Sequence, residues 1–115
     1  MTAPKVTLQA RRFAALGDPT RLSVFTLIAR SPLSVAEVAE RLPVSRPAVS
    51  QHLKVLADAG LVQCESVGTR NLYRPDSDGI ATMRDFIDSL WDIGLARFKA
   101  RPRPWHAAVP PIRRR

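Results

Sequence analysis

The 115 residues are 45% apolar, which suits one compact domain with a buried core and leaves too little chain for two. Eighteen Lys and Arg against ten Asp and Glu give a net charge of +8, a balance that favours nucleic acid or another anionic surface as partner. The apolar runs are too short to span a membrane, Arg11 and Arg12 break any signal-peptide core, and one cysteine, Cys64, excludes both a disulfide framework and a cysteine-cluster zinc site.

Residues 6–16 alternate apolar and basic side chains in a loosely helical pattern that stops at Gly17. Asp18-Pro19 then opens a helix, because the carboxylate can cap free N–H groups and proline suits the first helical position. Leu22, Phe25, Leu27 and Ile28 are its expected apolar stripe, and Ser31-Pro32 ends it. Ser34 to Glu37 has capping-box spacing and starts a short helix with Val35, Val38, Ala39 and Leu42 inward. After the turn at Leu42-Pro43-Val44, Ser45 starts another helix that carries Pro47 in its first turn, buries Val49, Leu53 and Leu56, and stops at Ala59-Gly60. Two short helices joined by a tight turn make a helix-turn-helix.

The period then changes. Residues 61–67 and 69–74 are strand-like runs on either side of Gly68, a hairpin placed where a winged helix carries its wing. Pro75 closes it, and Asp76 or Ser77 begins the longest helix, which reaches roughly to Lys99. Its apolar positions include Ile80, Met83, Ile87, Leu90, Trp91, Leu95 and Phe98. Residues 101–115 hold five arginines, four prolines and no acid, so +5 of the total charge sits in a segment read as a flexible tail. Residues 76–95 run the other way, with five aspartates against Arg84. The expected fold is therefore mostly α with a small β-hairpin, a winged helix-turn-helix domain over residues 1–100 followed by a basic tail.

The second helix of the motif carries the chemistry. With Val49, Leu53 and Leu56 inward, Arg46, Pro47, Ser50, Gln51 and Lys54 fall on its outer face. Arginine can pair in bidentate fashion with guanine and glutamine with adenine, serine is adaptable, and Pro47 and Ala48 offer small apolar contacts to thymine methyls. Ser45 at the helix start and Thr69 and Arg70 of the wing complete the expected contact set, in which Lys54 and Arg70 hold phosphates. Catalysis is not expected. Ser50 and His52 point in different directions from one helix, and no glycine-rich loop is present to cradle a phosphate.

LGDPTR, SVAEVAERL, VSQHLKVL and GTRNLY occur in order and at matching spacing, and with them residues 15–76 resemble the ArsR/SmtB family of bacterial winged-helix repressors. The long helix behind that stretch fits the family too. The resemblance implies a sequence-specific regulator of transcription, in keeping with the cytoplasmic location expected from composition, whose second motif helix enters the major groove and whose wing touches the backbone or the minor groove. It also implies a homodimer built on the first and last helices, here through Leu8, Phe13, Met83, Ile87, Leu90 and Trp91. Two other readings stay open: a protein-interaction module that has lost DNA binding, and a nonspecific architectural DNA binder driven by the arginine tail.

The chain departs from the family's metal sites. SVAEVAERL has no cysteine, and the last helix offers Asp85, Asp88 and Asp92 without a histidine, which suits zinc or nickel poorly and reads as a solvated acidic face. No metal or cofactor is expected. Cys64, beside Val62, is read as a small buried hydrophobe with redox sensing as the alternative, His52 as a half-buried structural residue with a phosphate contact as the alternative, and His106 as isolated in the tail.

Overall fold

The computed structural model describes residues 4–98, which form five helices and one hairpin. In chain order these are α1 (Pro4–Leu16), α2 (Pro19–Arg30), α3 (Val35–Arg41), α4 (Arg46–Asp58), β1 (Val62–Val67), β2 (Arg70–Pro75) and α5 (Ser77–Phe98). The mostly helical architecture with a small antiparallel hairpin is the one expected. The chain divides within α5 into two units, Met1–Arg84 and Asp85–Arg115. The basic tail, His106 and the expected helix end at Lys99 lie outside the described residues.

Short polar side chains set the helix starts. Asp18 accepts the Arg21 N–H at 2.9 Å ahead of Pro19, and Ser45 Oγ accepts the Ala48 N–H at 3.3 Å. Ser34 and Glu37 form a complete capping box: Ser34 Oγ takes the Glu37 N–H at 3.2 Å while Glu37 Oε1 takes the Ser34 N–H at 2.9 Å. Asp76 Oδ1 accepts from the N–H groups of Asp78 and Gly79 at the head of α5.

Helices α2, α3 and α4 close over one core in the first unit, where Val24, Ile28, Val38, Val49, Leu53, Leu56 and Leu61 are all fully buried. The inward face expected for α4 is the one found. On α2, Ile28 is fully buried and Phe25 and Leu27 pack against the core as expected, but Val24 joins them and Leu22 is 45% exposed. Two residues subtend about 200° on a helix, so burying Val24 carries Leu22 to the outside.

The exit from α4 is a Schellman turn. Gly60 adopts φ +76°, its N–H reaches Ala57 O at 2.9 Å, and the Leu61 N–H reaches Leu56 O at 2.9 Å. The first turn of α5 lies against this turn backbone to backbone: a Cβ built on Gly79 would sit 1.8 Å from Gly60 O.

Arginines satisfy the carbonyls left over where α1 and α4 end. Arg12 Nε donates to Ala59 O at 3.0 Å, Arg11 Nη2 to Asp58 O at 3.3 Å, and Arg21 Nε to Ala15 O at 2.6 Å. These cations stabilise helix C-termini, where partial negative charge accumulates. Part of the basic excess is therefore spent inside the fold. Sequence patterning does not reveal that Arg12 and the fully buried Gln9 lie inward.

In the second unit, α5 carries Ile87, Leu90, Trp91 and Ile93 at 42–64% exposure. Met83, expected beside them at an interface, is instead only 7% exposed and belongs to the core of the first unit. Little of it is left for a second copy to cover.

Candidate nucleic-acid interface

Helix α4 presents its polar face because its apolar face is used up: Val49, Leu53 and Leu56 hold it to the core, and the register leaves Arg46, Pro47, Ser50, Gln51 and Lys54 exposed. Arg46 and Gln51 make no side-chain hydrogen bond or ion pair among the described residues. Lys54 pairs with Asp58 at 3.6 Å one turn on, with both side chains largely in solvent. Such exposed pairs contribute little and leave the ammonium available. Ser45 spends an oxygen lone pair on its cap and keeps its O–H to donate.

The wing is anchored to the motif at its base. Leu33, just before α3, exchanges both backbone hydrogen bonds with Tyr73, at 3.1 and 2.8 Å. β1 and β2 pair from Val62↔Pro75 to Val67↔Arg70, and Gly68, at φ +64°, makes the tight reversal beside Thr69. Only Val62 of β1 is buried, so the hairpin projects past the core from there.

That projection overturns the reading of Cys64. It is exposed, because burial along β1 ends at Val62. Its cross-strand partner is Tyr73. Partial burial pushes the Tyr73 phenol above its ordinary pKa, and the neighbouring Cys64 pushes it further. His52 is half-buried, with Nδ1 3.4 Å from Arg21 Nη1, as its apolar neighbours suggested.

A groove of about 480 Å³ runs between the head of α3, the first half of α4 and the wing. Arg46, Ser50, Thr69 and Arg70 line it together, so residues 24 positions apart in sequence meet on one surface. Gln51 and Lys54 lie on the exposed face of α4 but do not line this groove. Ser34, Asn71 and Tyr73 do line it, and sequence reasoning missed all three. Leu33 and Tyr73 meet through backbone pairing, which has no signature in side-chain pattern, and Ser34 follows Leu33 in the chain.

Arg70 does not stand free. Its Nη2 donates to Glu37 Oε1 at 2.5 Å, the same oxygen that takes the Ser34 N–H. The Ser34 N–H holds the Glu37 carboxyl below the usual carboxylate range against the opposing cost of burial, and Arg70 adds to the lowering. Among the described residues, no group of three or more His, Cys, Asp or Glu is placed to hold a metal ion. None of the described helices is long and apolar enough to cross a membrane.

Comparison with known proteins agrees with this geometry. Residues 16–65 match the family described as a helix-turn-helix domain. The chain is 47% identical over 88 residues to the HTH-type transcriptional regulator Rv2034 of Mycobacterium tuberculosis, covering 76% of this chain and 82% of that protein. Among solved structures it is similar to an ArsR-like transcriptional regulator from Rhodococcus, with a TM-score of 0.71, 37% identity, and 85% and 95% of the two chains covered. It is also similar to the homodimeric winged helix-turn-helix DNA-binding domain of a possible ArsR-family regulator from Mycobacterium bovis, with a TM-score of 0.63, 26% identity, and 80% and 85% covered.

Proposed function

Because the chain belongs to the ArsR/SmtB family of winged helix-turn-helix transcriptional regulators, we propose that it represses transcription as a cytoplasmic homodimer bound to an inverted-repeat operator. Helix α4 enters the major groove. Arg46, Ser50 and Gln51 read base edges, Pro47 packs against them, and Ser45, Lys54, Thr69 and Arg70 hold the backbone. The observation that carries this reading is the unspent polar face of α4: Arg46 and Gln51, the two side chains with forked hydrogen-bonding groups, are exposed on one helix fixed to the core by Val49, Leu53 and Leu56.

The apolar surface that one chain leaves in solvent supports dimerisation. Leu8 and Phe13 on α1 and Ile87, Leu90 and Trp91 on α5 are exposed, and a second copy covers them. The protein has no catalytic role in this account, and its release from DNA does not depend on a transition metal. The α5 aspartates alone are a weak donor set for zinc or nickel, and α3 has neither cysteine nor histidine.

Selection of bound duplexes from fragmented genomic DNA tests the reading. The recovered fragments should share an imperfect inverted repeat whose half-sites lie about one helical turn apart, since two recognition helices of a two-fold dimer reach successive major grooves. Recovery of fragments with no shared sequence would overturn it in favour of nonspecific binding.

A further inference from the structure

Arg70 is the wing's cation in the groove, and the fold has already given it an anion. Glu37 Oε1 accepts from Arg70 Nη2 at 2.5 Å and from the Ser34 N–H at 2.9 Å, so one oxygen closes the capping box of α3 and tethers the wing. The Leu33–Tyr73 bridge fixes the base of the hairpin and so keeps Arg70 within reach of α3. The pair is open to water, with side chains 54% and 33% exposed, so a second anion can compete for the guanidinium.

We propose that Glu37 is a specificity-determining residue that acts through Arg70: it neutralises the wing in the free protein and yields the guanidinium only to a phosphate docked in the groove. Two consequences follow from charge alone. With Arg70 paired, the wing adds almost nothing to the attraction that every duplex feels. A duplex seated out of register brings no phosphate to Arg70, so the guanidinium stays with Glu37 and contributes nothing. The operator, seated with a phosphate against Arg70, exchanges one anion for another. Glu37 therefore weakens random binding more than operator binding.

The inference rests on the DNA-binding reading above, and Glu37→Gln separates the two. Glutamine still accepts the Ser34 N–H and is itself a capping-box residue, so α3 keeps its start while the charge is lost. Binding is measured for the full chain by fluorescence anisotropy, on an operator recovered by selection and on its scrambled duplex, over a salt series. E37Q should bind the scrambled duplex several-fold more tightly, with a smaller gain on the operator, so the ratio of the two affinities falls. Its salt dependence should steepen by about 0.9 in log–log slope for each phosphate newly neutralised, roughly 1.8 for a dimer. In an Arg70→Ala background the same substitution should leave the ratio unchanged.

An unchanged ratio and slope in E37Q would overturn the proposal, as would weaker binding to both duplexes or an effect that persists undiminished without Arg70. If the unmodified chain shows no preference for the selected duplex, the DNA-reading account itself fails and takes this inference with it. Circular dichroism melts of E37Q check that the cap is intact. If it melts well below the parent chain, Arg70→Gln makes the comparison from the other partner: it should lose more affinity for the operator than for the scrambled duplex, and equal loss on both would overturn the proposal.

Discussion

The smallest residues set the tightest tolerance in this protein. Gly79 has no room for a methyl group, because the obstacle 1.8 Å away is the Gly60 carbonyl rather than a flexible side chain. Gly79→Ala should therefore push the first turn of α5 off the Schellman turn. Overpacking of this kind costs about 1–3 kcal/mol, and each kcal/mol lowers the melting midpoint of a domain this size by roughly 4–8 °C. Thermal unfolding of both proteins at one protomer concentration checks this, and a midpoint within a degree of the parent would show that the backbone yields without cost. None of this is legible in the sequence, where Gly79 is an unremarked residue in a helix. The same holds for Arg12, whose burial depends on a carbonyl 47 residues away. Cys64 was misjudged for a related reason: strand alternation places it on the side of Val62, but only the core's extent decides where that side meets solvent.

Elements were far easier to read. The N-caps Asp18, Ser34 and Ser45, the glycine after α4 and the turn at Gly68 are local chemistry, and each lies where its residue types require. Helix α2 departs from its expected stripe only at Leu22, since its sequence has apolar residues on more than one face and packing chooses among them. Helix α5 poses the opposite question. Its exposed apolar residues Ile87, Leu90, Trp91 and Ile93 are costly to leave in water, and Trp91 is the largest of them at 57% exposure. Trp91→Ala should weaken self-association by about 3–5 kcal/mol if the ring is buried between copies, enough to shift the dissociation constant more than a hundredfold. Sedimentation equilibrium over a dilution series reads this directly. A variant with the parent's dissociation constant would place the interface elsewhere.

For the whole molecule, the charge total misleads until it is divided by location. Arg11, Arg12 and Arg21 serve helix ends, Arg70 and Arg74 are paired with Glu37 and Glu65, and Lys54 leans on Asp58. The basic composition correctly pointed to an anionic partner. It did not say which cations would meet it, because partners such as Glu37 and Arg70 are 33 residues apart. The candidate reading face on α4 was legible because helical period fixes an outer face once the inner one is known. The groove it shares with the wing was not, since it depends on backbone pairing of Leu33 with Tyr73.

The central claim is that the exposed face of α4 reads sequence while its flank holds backbone. Equilibrium binding of Gln51→Ala and Lys54→Ala, each on a selected operator and on its scrambled duplex at one fixed salt concentration, tests it most directly. Gln51→Ala should lose about 1–3 kcal/mol on the operator and almost nothing on the scrambled duplex, while Lys54→Ala should lose similar amounts on both. Equal loss on both duplexes for Gln51→Ala, or loss confined to the operator for Lys54→Ala, would contradict the assignment.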